Sequence, residues 1–206
     1  MKSSAFWLGN FVFDFLSYFL LSAIIIALCF AFGFSSFVGT QDSITALVYL
    51  FLLFGMSNLL FTYLICYVFK EALAGQVGVF FLNLIIGSIL PIILVILRMI
   101  LASPQANGLV WFLRLFPPFS FGEGVINLGG MSILSLFSGT TLQVFDADIT
   151  LGPIIYLAST FGLYLIGLLI YEIIVLNKNK LNACFFGNFD EPSRVIKKKI
   201  ESDVFA

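Results

Sequence analysis

The chain has 206 residues, of which 61% are hydrophobic, 17% aromatic and only 10% charged, with a net charge of −1. A soluble domain carries about 25% charged residues, so this composition excludes a water-exposed globule and makes lipid the solvent. The absence of histidine excludes Ser-His-Asp and Cys-His nucleophilic sites and histidine metal sites, and no nucleic-acid partner is expected.

Residues 1–10 lead into the first apolar run and read as the end of an interfacial helix. Asn10 and Asp14 are four apart and share one helix face, among aromatics such as Trp7 that suit the headgroup zone. That face is either a polar stripe in water or a cytoplasmic docking surface. About 20 apolar residues cross a bilayer, and four stretches are long enough: 11–34, 44–69, 77–97 and 153–176. The first is too long for the apolar core of a cleavable signal peptide. Pro153 opens the last, as proline often opens a helix. Cys29 and Cys66 lie in apolar runs and read as small hydrophobes. Cys184, in the polar tail, is an idle thiol or an acylation site.

Small residues four apart suggest helix contacts in lipid: Ala23, Ala27 and Ala31 on the first span, Ala74 and Gly78 on the third, Ala158 and Gly162 on the fourth. Gly87 and Ser88 interrupt the third span. Glu172, near the end of the last span, reads as an interfacial side chain rather than a proton relay.

The stretch 108–138 contains LFPPFSFGEGVINLGG, with two prolines and a carboxylate amid aromatics. As a fifth span it would hold Glu123 near mid-membrane, at about 2.5–3.5 kcal/mol on insertion scales. With four spans, Lys2, Lys70, Lys178, Lys180, Arg194 and Lys197–Lys199 share one side, and only Arg98 and Arg114 lie opposite. Positive residues gather on the cytoplasmic side, so four spans with both termini cytoplasmic are expected. The stretch 108–138 is then a re-entrant exoplasmic hairpin of two short helices. Phe116, Pro117, Pro118, Phe119, Gly122, Glu123 and Gly124 would form its turn, and Phe112 and Phe121 would face lipid. Asp146 and Asp148 follow in a solvated connector, with too few oxygen ligands at set spacing for calcium. Residues 177–206 form a polar cytoplasmic tail that meets anionic lipid or connects to another domain.

Four motifs in order resemble the membrane domain of the A-subfamily of ABC transporters, lipid exporters of the type II exporter fold. They are Phe6-Trp7-Leu8-x-Asn10-Phe11-x-x-Asp14; Phe54-Gly55-Met56 followed by Tyr63, Leu64, Phe69 and Lys70; Asn83-Leu84-Ile85-Ile86-Gly87; and Phe116-Pro117-Pro118-Phe119-Ser120-Phe121-Gly122-Glu123-Gly124-Val125-Ile126-Asn127. The chain departs from the family pattern at Glu123, which stands for an arginine, at Asn127 for an aspartate and at Met56 for a tryptophan.

The resemblance implies an all-α integral membrane fold, with the four spans as the last four of a six-span exporter half. Residues 1–10 would end a cytoplasmic coupling helix, with Trp7, Asn10 and Asp14 as its coupling surface. Residues 11–176 would be a partial transmembrane domain, and 177–206 would lead toward a nucleotide-binding domain. No GxxxxGK[ST] loop occurs, so the chain is expected to hold no cofactor and not to be an enzyme by itself. ATP and Mg belong to a separate nucleotide-binding domain, and the other implied partners are membrane lipids and a second transmembrane half. The chain is then a fragment of a longer transporter or a truncated product. The alternatives are a non-ATP channel or carrier subunit, an inactive transporter remnant, and an integral membrane enzyme, for which a polar catalytic cluster is lacking.

Overall fold

The computed structural model describes residues 3–66, 69, 72–101, 104–138 and 141–186. All regular structure among these is helical: α1 (Ser3–Ala31), α2 (Ser35–Val38), α3 (Gln41–Cys66), α4 (Ala72–Leu84), α5 (Leu90–Leu101), α6 (Pro104–Leu113), α7 (Pro117–Gly129), α8 (Met131–Ser138) and α9 (Gly152–Phe186). Two π-helical turns, Ile85–Ile89 and Ala147–Leu151, join α4 to α5 and open α9. Four helical segments are long and apolar enough to cross a membrane: Gly9–Ala31, Gln41–Cys66, Leu73–Leu97 and Ala147–Ile174. The chain divides into two compact units, Met1–Ile166 and Gly167–Ala206. The described part of the second is the end of α9. The side chain of Trp7 and the tail beyond Phe186, with Lys197–Lys199, lie outside what is described.

The first unit is arranged around α7, with nine of its thirteen residues buried. It packs on α3, α5, α2 and both π turns. Leu94, Val110 and Phe119 form one buried cluster, and Ala46, Leu47, Leu128 and Val144 form another. The outward faces of α1, α4 and α5 expose large apolar side chains such as Phe13, Leu20, Phe80 and Ile93, the pattern expected of helices bathed in lipid.

The third span is not a continuous α-helix. Pro91 lacks an N–H and its ring crowds the carbonyl four residues back, that of Gly87. The chain responds with the wide turn Ile85–Ile89, in which the Leu90 N–H bonds the Ile85 carbonyl. α1 ends where Gly33 takes φ 62°, a left-handed conformation cheap only for glycine. It then turns through α2 into α3.

Helix contacts are more specific than small-residue spacing suggests. Gly55 accepts the ring of Tyr18, which a Cβ there would meet at 2.3 Å, and the Tyr18 hydroxyl donates to the Phe51 carbonyl at 3.1 Å. Ser57 and Thr160 share a buried hydrogen bond of 2.9 Å that ties α3 to α9. By contrast, Ala158 is exposed and a Cβ at Gly162 would meet nothing within 4 Å, so that pair makes no contact within the described chain. Ala23 and Ala27 line an apolar groove of about 370 Å³ beside α3 rather than a close crossing.

Candidate functional site

Phe116 is extended (φ −88°, ψ 116°), as the residue before a proline must be. Pro117 and Pro118 then occupy the first turn of α7, where their missing N–H groups cost nothing. Two glycines let this helix sit deep. A Cβ on Gly122 would lie 1.8 Å from the Gly87 carbonyl oxygen, the oxygen that Pro91 deprives of its helical donor. One on Gly124 would meet Leu50 at 2.7 Å and Pro153 at 3.3 Å. Helix α7 therefore touches the second span, the broken third span and the start of the fourth, backbone against backbone at Gly87.

Between those glycines Glu123 is 2% exposed. Arg114, on the turn before α7 and 3% exposed, donates from Nε to Glu123 Oε2 at 2.7 Å and from Nη2 to Oε1 at 3.0 Å. A parallel two-bond pair of this kind is the strongest form of carboxylate recognition. The Trp111 and Tyr156 rings stand 5.8 and 6.0 Å from the guanidinium, and a Cβ at Gly152 would fall 2.7 Å from Arg114 Nη1. The Ser120 hydroxyl donates to the Arg114 carbonyl at 2.7 Å. Asn127 donates to the carbonyls of Asp148 and Ile149 at 2.9 and 3.3 Å and so holds the π turn that begins the last span. Tyr164 donates to the Leu115 carbonyl at 2.9 Å. The elbow 114–118 is thus fastened to α9 as well as to α7.

The turn residues Phe116, Pro117, Pro118, Phe119, Gly122, Glu123 and Gly124 come together, and all but the half-buried Phe116 are buried. Three short helices, α6 to α8, occupy the stretch where two were expected. Phe112 is 59% exposed. Phe121 is half-buried and stacks on Phe54 at 4.3 Å, with the edge of Phe51 at 5.1 Å. Asn10 and Asp14 are half-buried, and Asp14 accepts a short hydrogen bond from the Tyr63 hydroxyl that links α1 to α3. Asp146 Oδ2 accepts from the Gln143 N–H at 2.7 Å and shapes the connector.

Beside α7 lies a groove of about 520 Å³ between α3 and the π turn of the third span, walled by Phe54, Asn58, Asn83, Ser88, Phe121 and Ile126 among others. Sequence reasoning did not single out Asn58, nor join Arg114 to Glu123. The signal for the pair was present: these are the only charged residues between Arg98 and Asp146. The paired charges offer no free acid or base, so the arrangement is suited to positioning and not to chemistry.

A family model described as ABC-2 family transporter protein matches residues 1–170. The chain is also 26% identical over 130 residues to the human protein ATP-binding cassette sub-family A member 13, a match covering 60% of this chain and 3% of that protein.

Proposed function

The chain belongs to the ABC-2 family of transporter proteins, and from that premise we propose that it is a partial transmembrane domain moving lipids across a membrane at the expense of ATP. It is a multi-pass membrane component of a transporter. Family members of this kind work with nucleotide-binding domains. In this reading a separate nucleotide-binding domain binds ATP and Mg, and a second transmembrane half completes the pathway. The name of the human relative, which contains both "ATP-binding cassette" and "sub-family A", supports the ATP-driven reading.

Both termini are cytoplasmic, and α6 to α8 form a re-entrant element on the exoplasmic side. Helices α6 and α7 have ten and thirteen residues. At about 1.5 Å per residue neither reaches across a hydrocarbon core of about 30 Å.

The observation that carries the mechanism is that α7 contacts three of the four spans at once. Closure of the ATPase pushes the amino-terminal surface of Trp7, Asn10 and Asp14. The Asp14–Tyr63 bond carries that push from α1 to α3, and α3 bears directly on α7 through Leu50 and Gly124. The hairpin moves as one piece because Arg114 and Glu123 lock its elbow. Lipid then passes along apolar helix faces toward Phe112.

The test is reconstitution of the intact protein with its ATPase in phosphatidylcholine vesicles carrying a trace of tail-labelled fluorescent phosphatidylcholine. ATP is expected to change the fraction of label open to a membrane-impermeant quencher, and Glu123→Gln to slow that change at least fivefold. Redistribution that ignores ATP while the ATPase turns over would sink the proposal and favour a channel or carrier.

A further inference from the structure

The groove between α3, the π turn and α7 holds polar groups that the fold does not satisfy. Asn58 Oδ1 and Asn83 Oδ1 are both buried and have no hydrogen-bond donor among the described residues. The Asn83 amide nitrogen donates to the Val79 carbonyl at 3.0 Å, which fixes that side chain and leaves its oxygen as the atom lacking a partner. Asn58 lies about 4.5 residues from the middle of Gln41–Cys66, and Asn83 about two from the middle of Leu73–Leu97. At about 1.5 Å per residue both stand within roughly 7 Å of their span centres, where hydrocarbon offers no donor. An orphaned acceptor at such a depth is destabilising unless something donates to it. Apart from Ser88 the rest of the described wall is apolar or aromatic, and none of its residues is charged.

We propose that this groove binds the uncharged, hydroxyl-bearing headgroup of a lipid. Its O–H groups donate to Asn58 and Asn83, and its first chain carbons lie along Phe54, Ile92 and Phe121. The headgroup must donate, because both orphaned atoms accept. It must be uncharged, because the buried cation at hand, Arg114, is engaged by Glu123 and would not neutralise a phosphate. An ammonium would find no carboxylate in the wall. A π turn at the back of the site fits the frequent occurrence of such turns at functional positions. The proposal rests on the transporter reading and adds to it the headgroup that this site selects.

The test uses the intact protein in phosphatidylcholine vesicles without ATP, with a trace of photoactivatable ceramide or of phosphatidylserine carrying the same photoactivatable group. After illumination, crosslinked peptides are mapped by mass spectrometry. The ceramide probe is expected to label peptides bearing Phe54, Ile92 or Phe121 at least fivefold more than the phosphatidylserine probe, and unlabelled ceramide is expected to compete. Asn58→Leu with Asn83→Leu should cut the labelling about tenfold and raise Tm, because each leucine removes an orphaned acceptor. Equal labelling by both probes, or labelling unchanged in the double variant, would mean a non-selective cleft and overturn the proposal. Absent labelling, from a groove filled by water or by another segment of protein, would overturn it too. So would a double variant of lower Tm, which would make the asparagines structural. Since no ATP is present, this experiment can fail while ATP-driven lipid movement succeeds, and the reverse.

Discussion

Glu123 and Arg114 are a pair whose removal by halves is costly. Breaking a buried ion pair by deleting one partner leaves an uncompensated charge and costs about 3–5 kcal/mol. Glu123→Ala and Arg114→Ala are each expected to lower Tm by roughly 10 °C, measured by heating the protein in detergent and following its size-exclusion peak. Arg114→Met combined with Glu123→Leu should recover most of that loss, because apolar replacement of a whole buried pair is often neutral. If the double variant is as unstable as either single one, the pair acts through something other than charge balance. The sequence made Glu123 conspicuous as a lone acid among aromatics but not its partner. Arg114 stands nine residues upstream, across a proline elbow, and only the turn at Phe116 brings the two together. The partners of Asn127, a residue of the fourth motif, were hidden for a similar reason, since they are main-chain carbonyls of another element.

At the scale of elements, the crossing of α7 over the broken third span depends on the absence of a side chain. Gly122→Ala would place a Cβ 1.8 Å from the Gly87 carbonyl oxygen, and a backbone atom cannot swing aside as a side chain can. A loss of about 3 kcal/mol is expected from such overpacking. Gly162→Ala, with nothing within 4 Å, should instead be neutral or gain up to about 1 kcal/mol from helix propensity. The same thermal assay separates the two, and equal effects would contradict the close approach. The four spans were legible because length and apolarity alone define them. The two π turns were not, although Pro91 four residues after Gly87 is the local cause of the first. Helices α2 and α8, of four and eight residues, are too short for a periodic signal, so the hairpin region looked simpler than it is.

For the molecule as a whole, orientation in the bilayer follows from where the positive charges must stay. Moving Lys178, Lys180, Arg194 and Lys197–Lys199 through hydrocarbon is unfavourable, and the same bias holds Lys2 and Lys70 on their side. The proposed even number of crossings would put all of these on one face and the connector before α9 on the other. Cysteine labelling tests this in a variant with Cys29, Cys66 and Cys184 replaced by alanine. A cysteine at the exposed Gln143 is expected to react with a membrane-impermeant maleimide on intact cells. One at Asp190 should react only after permeabilisation. One at Glu123 should react under neither condition, because that position is 2% exposed and the reagent cannot reach a group enclosed by α3, the π turn and the start of α9. Reaction at 143 and 190 from the same side would require an even number of crossings between them. The amino and carboxyl ends would then face different compartments, and a nucleotide-binding domain following residue 206 could not push on Trp7, Asn10 and Asp14.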